Sequence, residues 1–227
     1  MKLYTHLLDQ AEAYGIKALF GIPDPALFAL FNAAQQRGWT VLAPHHEASA
    51  GFMAEGYSRM TGQNGARGGA LVAASLGPGF ANLLPAIAHA QAEASPILFL
   101  ASRRAGLGAG IGQGPNPARF QHARQLAPAA AILPFAAALD TPADAPKITE
   151  ALQALRQGPA YLELSGLVLE AECTTAINPP IPDPIPDLTQ ALALIAQAQS
   201  PLILAGHGIQ TSQTQSALES LAQTLSC

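Results

Sequence analysis

Two stretches of this chain are apolar on both alternate positions of an extended strand: Gly69–Ser75 (GALVAAS) and Pro96–Ala101 (PILFLA). A strand without polar alternation has to be covered on both faces, and that is the habit of parallel sheets sandwiched between helices. Shorter apolar runs at Lys17–Gly21 (KALFG), Thr40–Ala43, Ile132–Phe135 and Ala160–Leu164 (AYLEL) read as further strands. Helical spacing fills the intervals. Residues 3–14 place Leu3, Leu7, Leu8 and Ala11 on one face before Gly15, and Ala26–Gln36 does the same with Leu27, Leu30 and Phe31. From Glu47 to Gly62, Phe52, Met53, Gly56, Tyr57 and Met60 form a stripe at helical spacing, and small Ala48, Ala50, Gly51 and Ala54 would let another backbone approach closely. Gly79–Ala94 and Ala143–Gln157 complete the set; Pro85 within the former should cost about 3 kcal/mol or kink the helix. The alternation predicts an α/β fold: a doubly wound, mostly parallel six-stranded sheet.

The composition narrows the class of function. Of 227 residues 49% are hydrophobic and only 11% charged, which fits either a surface largely covered by a partner or another domain or an alanine-rich bias of the proteome. Net charge is −4 and the only adjacent basic pair is Arg103–Arg104, which argues against nucleic acid. No apolar run approaches the length of a membrane span, and the first residues lack a signal-peptide core. Cys173 and Cys227 are isolated, as ordinary thiols of a reducing compartment would be, and a cytoplasmic location is expected.

Residues 102–118, rich in glycine and proline, read as a long mobile loop of the kind that is usually functional. At Asn178–Asp187 (NPPIPDPIPD) the chain becomes a semi-rigid proline connector. Beyond it a helix at Leu188–Gln197, a strand at Pro201–Ala205 and a helix at Gln213–Leu225 look like the opening of a second domain, too short to close a core alone. The expected division is 1–165 as one domain, 166–187 as linker, and 188–227 as the beginning of an incomplete one.

Two strand-to-helix junctions carry the candidate chemistry. His45-His46-Glu47 opens a helix, where a carboxylate is favoured by about 0.3–1 kcal/mol through the macrodipole alone. The histidines lack the i, i+4 spacing of a helical zinc site. Ser75-Leu76-Gly77-Pro78-Gly79-Phe80-Ala81-Asn82 is a glycine-rich turn into the next helix, able either to bind an anion or merely to turn tightly. In an open parallel sheet such junctions can share the ligand-binding edge.

Taken in order, FGIPD (20–24), HHEASAGFMAEGYSRMTG (45–62), SLGPGFANLL (75–84), SPILFLAS (95–102), ARFQH (118–122) and PLILAGHGI (201–209) resemble the thiamine-diphosphate enzymes, in the group of acetolactate synthase and 2-oxo acid decarboxylases. The resemblance covers the amino-terminal pyrimidine-binding domain and the start of the central one. It implies that Glu47 hydrogen-bonds the 1′ nitrogen of the cofactor's aminopyrimidine as the catalytic acid group. Ile22 and Pro23 would border the pyrimidine, Pro78 and Asn82 would line it from the glycine turn, and Gln121 would close the site. His89 and His122 match no family role. Val72-Ala73-Ala74 lacks the histidine of benzoylformate decarboxylase-like enzymes, no His-His pair follows Ser102, and the lysine of acetolactate synthases near Ile132–Phe135 is missing. The resemblance therefore implies a small 2-oxo acid as substrate and leaves decarboxylation and carboligation both open. The Gly-Asp-Gly…Asn motif that holds magnesium and the diphosphate does not occur, so Mg2+ is expected only from a missing domain or a partner. A homo-oligomer, a separately encoded subunit with a diphosphate-binding partner chain, and a non-catalytic remnant all remain compatible with these residues.

Overall fold

The computed structural model describes residues 1–61, 68–103, 124–180, 186–206, 209 and 212–226. Six strands form one sheet: β1 (Ala18–Gly21), β2 (Thr40–Leu42), β3 (Ala70–Ala74), β4 (Ile97–Ser102), β5 (Phe135–Leu139) and β6 (Ala160–Leu164). Their order is β2-β1-β3-β4-β6-β5, and every pairing is parallel. The doubly wound α/β expectation holds. From β1 the chain first steps outward to β2, then returns past β1 to β3 and β4. That reversal puts a topological switch point between β1 and β3, where the loops leaving the strand ends diverge and open a crevice.

Each face of the sheet has its own core. On one, Leu7 of α1 (Leu3–Ala13), Leu30 of α2 (Phe28–Gln36) and Ile148 of α6 (Pro146–Ala154) pack on Leu19, Leu71, Leu98 and Leu162. On the other, Ala50 and Ala54 of α3 (Glu47–Thr61), Leu83 and Ile87 of α4 (Pro78–Ala92) and Ala129 of α5 (Leu126–Ile132) pack on Val72, Phe99 and Tyr161. The residues of β3 and β4 are buried throughout, as strands apolar on both alternations must be.

The stripe on α3 faces outward: Phe52, Met53 and Met60 are exposed, and Ala50, Gly51, Ala54, Glu55 and Ser58 are buried instead. Small residues win the inner face because α4 lies so close that a Cβ on Gly51 would overlap that of Ala86. Several expectations need correcting. Pro85 does not end α4; it sits on the exposed side of a helix that continues to Ala92. The fifth strand starts after Pro134 rather than at Ile132, which is the last residue of α5. Pro201–Ala205 forms no strand; Leu202 and Leu204 are 92% and 95% exposed, and nothing pairs with them in the sheet. On either side of it lie α8 (Thr189–Gln197) and α9 (Ser212–Leu225). Most of the expected loop at 102–118, and part of the proline connector, lie outside the described residues.

The stretch after β6 is packed rather than free. Ser165 caps the short α7 (Gly166–Leu169), accepting from the Val168 amide at 3.3 Å, and Val168, Leu169 and Cys173 are buried. The chain then runs back along its own start. The Cys173 amide donates to the Met1 carbonyl at 2.7 Å, the Met1 amine to the Cys173 carbonyl at 3.0 Å, and Lys2 pairs with Glu172 at 3.2 Å. Gln10 and Asn178 are hydrogen-bonded both ways through the Gln10 side chain and the Asn178 backbone.

Candidate functional site

Glu47 is the first residue of α3, and the helix is capped from just before it. The Ala48 amide donates to His46 Nδ1 at 3.2 Å and the Ser49 amide to the His46 carbonyl at 3.1 Å. His46 thus takes up backbone donors that a helix start leaves unpaired. Glu47 itself is half-buried.

The facing element is the turn into α4. Gly77 adopts φ 63° and ψ −101°, a conformation open to glycine, and Pro78 follows at the first position of the helix. The turn closes with the Phe80 amide on the Ser75 carbonyl at 3.0 Å and the Ala81 amide on the Gly77 carbonyl at 2.9 Å. One turn into the helix, Asn82 Nδ2 donates to Glu47 Oε2 at 2.9 Å. A Cβ placed on Gly79 would lie 3.1 Å from Glu47 Oε1 and overlap the Ser75 hydroxyl. The carboxylate therefore rests directly over the glycine turn, with one oxygen oriented by Asn82 and the other against bare backbone.

Further along the same two helices a buried carboxylate holds them together. Glu55 accepts from Arg59 Nε at 3.0 Å and Nη2 at 2.5 Å, and its other oxygen meets His89 Nε2 at 2.8 Å. Arg59 also reaches Glu93 at 3.1 Å, and the His89 ring lies 5.6 Å from that of Phe52. His89, without a role in the sequence reading, is thus a link between α3 and α4.

Of the residues singled out by sequence, Glu47, Pro78 and Asn82 are brought together at one turn. Ile22, half-buried, and Pro23, exposed, follow β1, the neighbour of β3 in the sheet and the other bank of the switch point. Gln121 and His122 lie outside the described residues. Sequence reasoning missed a chain of polar groups on the same edge. Gln125, just ahead of α5, is 4% exposed; its Oε1 accepts from the Gly77 amide and its Nε2 donates to the Ser102 carbonyl at 3.1 Å. Ser102 Oγ donates to Asp24 Oδ2 at 2.5 Å, and Asp24 Oδ1 accepts from the Ala26 amide at 2.9 Å. Asp24 and Ser102 end the segments FGIPD and SPILFLAS without a role assigned to them, and Gln125 lies in none of the quoted segments; only the fold joins the three.

Two strands further across, Arg103 pairs with Glu163 at 3.1 Å and with Asp140, bracing the ends of β4 and β6. Burial, then the Glu163 charge, pushes the Tyr161 hydroxyl well above its ordinary range, so it stays a phenol. Among the described residues no three His, Cys, Asp or Glu side chains gather as a metal would need, and no helix is long and apolar enough to cross a membrane.

A parallel α/β domain with an acid and an amide facing a glycine turn at its switch point defines a class of small-molecule-binding domain. The particular family is shown by comparison: the model of the thiamine pyrophosphate enzyme N-terminal TPP binding domain matches residues 1–125. The chain belongs to that family, whose cofactor is thiamine diphosphate. It is 28% identical over 224 residues to a probable acetolactate synthase of Mycobacterium bovis, covering 93% of this chain and 39% of that one. A probable 2-ketoarginine decarboxylase of Pseudomonas aeruginosa is 29% identical over 208 residues, with 86% and 35% covered. A sulfoacetaldehyde acetyltransferase of Castellaniella defragrans is 26% identical over 228 residues, with 96% and 36% covered. The chain thus spans less than two-fifths of the length of these relatives.

Proposed function

We propose that this chain supplies the pyrimidine-binding half-site for thiamine diphosphate in an acetolactate-synthase-like enzyme that decarboxylates or ligates small 2-oxo acids. The observation that carries the reading is the Glu47 carboxylate held over the Gly77-Pro78-Gly79 turn by Asn82. The residues fit the group. Gly79 lets the turn lie against Ser75 and Glu47 where any side chain would push the carboxylate away, and Glu47 would offer an oxygen able to share a proton with a ring nitrogen.

When bound, the cofactor supplies a nucleophilic carbon and an electron sink for carbon–carbon bond cleavage and formation. Glu47 holds a proton at the pyrimidine 1′ nitrogen. Asn82, donating to Oε2, would fix the carboxyl plane and leave the other oxygen to meet the ring. Pro78 and the Ile22-Pro23 loop would border the ring, and the resemblance gives Gln121 the part of closing the site. Residues 1–165 carry this site, residues 166–178 pack back on the same domain, and beyond the proline connector 188–227 begin the next one. Mg2+ and the diphosphate would be held by a domain other than the one that 188–227 begin, or by a partner chain, in a homo-oligomer or a complex of unlike chains. The relatives' names support 2-oxo acid chemistry, and a free buried Cys173 suits the cytoplasm.

In the enzyme assembled with its diphosphate-binding half, Glu47→Gln should lower turnover by roughly 10²–10⁴-fold, the range for a positioned acid–base group. Thermal unfolding should move little. Turnover equal to the parent's removes Glu47 from the mechanism. Titration of the 227-residue chain alone with thiamine diphosphate and Mg2+ should show weak binding or none. Tight magnesium-dependent binding would overturn the half-site reading.

A further inference from the structure

We propose that Gln125 is a positioning residue. Through the relay Asp24–Ser102–Gln125–Gly77 it sets the glycine turn, and with it Asn82, at the distance from Glu47 that the site requires. The inference rests on the reading of Glu47 as the group that meets the pyrimidine.

The turn's own hydrogen bonds, Phe80 to Ser75 and Ala81 to Gly77, leave the Gly77 amide to be held from outside. Gly77, at φ 63° and ψ −101°, occupies a region where glycine has more freedom than any other residue, and freedom is the opposite of placement. Its amide is pinned from outside, by the side-chain oxygen of Gln125. Both polar atoms of that side chain are engaged: the oxygen takes Gly77, and the nitrogen takes the Ser102 carbonyl at 3.1 Å. Ser102 is buried, and its hydroxyl carries the relay to Asp24 at 2.5 Å, which holds the first turn after β1 through the Ala26 amide at 2.9 Å. Side chains thus tie together the exits of β1, β3 and β4, three strands whose backbones diverge beyond the sheet.

The tolerance at the site is small. Asn82 Nδ2 stands 2.9 Å from Glu47 Oε2, and the space over Gly79 is within 3.1 Å of the other oxygen. Pro78, Gly79 and Asn82 share one helix, so movement of the Gly77 hinge carries all three together. A shift of a few tenths of an ångström at the turn stretches or crowds the Glu47 contact. Among the described residues Gln125 makes no hydrogen bond to Glu47, and it acts through the turn.

The test uses the 227-residue chain without cofactor, followed by nuclear magnetic resonance. Two variants are compared with the parent: Gln125→Ala, and Gln125→Met, which keeps the volume but makes neither hydrogen bond. In both, the Gly77 amide should exchange with solvent at least about tenfold faster, while amides of Leu71 and Phe99 in the sheet keep their rates. In both, the Asn82 side-chain amide should lose at least half of the chemical-shift change with which it follows Glu47 ionisation. If Gln125→Met leaves Gly77 as protected as in the parent, the residue only fills space and the proposal fails. It fails equally if Gly77 is released while Asn82 still follows Glu47 undiminished. Should Gln125→Ala not fold, Gln125→Met alone decides. None of these readouts involves thiamine diphosphate, so an active Glu47→Gln enzyme would refute the functional reading and leave the relay standing.

Discussion

Residues 1–173 and residues 186–226 are both rich in leucine and alanine, and they use them in opposite ways. In the first region Leu71, Leu98, Leu100 and Leu162 lie wholly inside a sheet covered on both faces. In the second, Leu192, Leu194, Leu202 and Leu204 are all exposed, and α8 has no buried residue. The difference is one of available partners. A strand gains by pairing and by being roofed, and six strands with helices on both sides provide that for one another. One extended stretch between two helices provides neither. Apolar composition therefore marks the capacity to form a core, and the neighbours decide whether the core forms.

The contrast can be broken by substitution. Leu98→Ala, in the middle of β4, should lower unfolding free energy by about 2–5 kcal/mol in a denaturant titration. A loss much below this range would mean the sheet is less closed than described. Gly51→Ala should cost about 1–3 kcal/mol, because the new methyl overlaps Ala86 and forces α3 from α4. An unchanged midpoint would show that the two helices can part freely.

A pH series sharpens the same comparison. His6 of α1 is fully buried, and its ring nitrogens find no partner among the described residues. Burial, aided by the nearby amino terminus and opposed by Asp9, lowers its pKa from the ordinary 6.5. The unfolded chain then binds the proton more readily. Stability from keeping His6 neutral is complete above about pH 6.5 and is lost as pH falls from there toward the folded value. Urea midpoints at several pH values should show this loss, and His6→Leu should flatten it. An equal slope in that variant would assign the acid sensitivity elsewhere. Smallest of all, Leu204→Ser should change stability by no more than about 0.5 kcal/mol, and a larger loss would reveal packing around that side chain.

How much of this was legible in the sequence depended on what carried the signal. Uninterrupted apolar runs marked β3 and β4 and therefore the parallel sheet, since hydrophobicity on both faces has one common solution. Glu47 and the glycine turn were legible as a pair because their spacing matched a family pattern. The inner face of α3 was left open. Periodicity alone cannot tell a stripe of Phe52, Met53 and Met60 that faces out from one that faces in, and close contact with α4 selects Gly51 and Ala54 for their lack of bulk. Glu55 is buried against ordinary expectation because Arg59 and His89 satisfy it from two helices. The fifth strand was placed early because FAAAL, nearly all alanine, carries little strand preference of its own. The link between Gln125, Ser102 and Asp24 left no trace, since they are far apart along the chain and joined only where strand ends converge.

One last property follows from the way residues 171–178 return to the beginning of the chain. Met1 and Cys173 exchange backbone hydrogen bonds, so the entrance and the exit of the folded domain are neighbours. A short peptide bridge between them would need to span almost no distance, and the chain could then be opened at an exposed loop on the far side without cutting the sheet. The order in which the strands are synthesised is, to that extent, separable from the architecture they build.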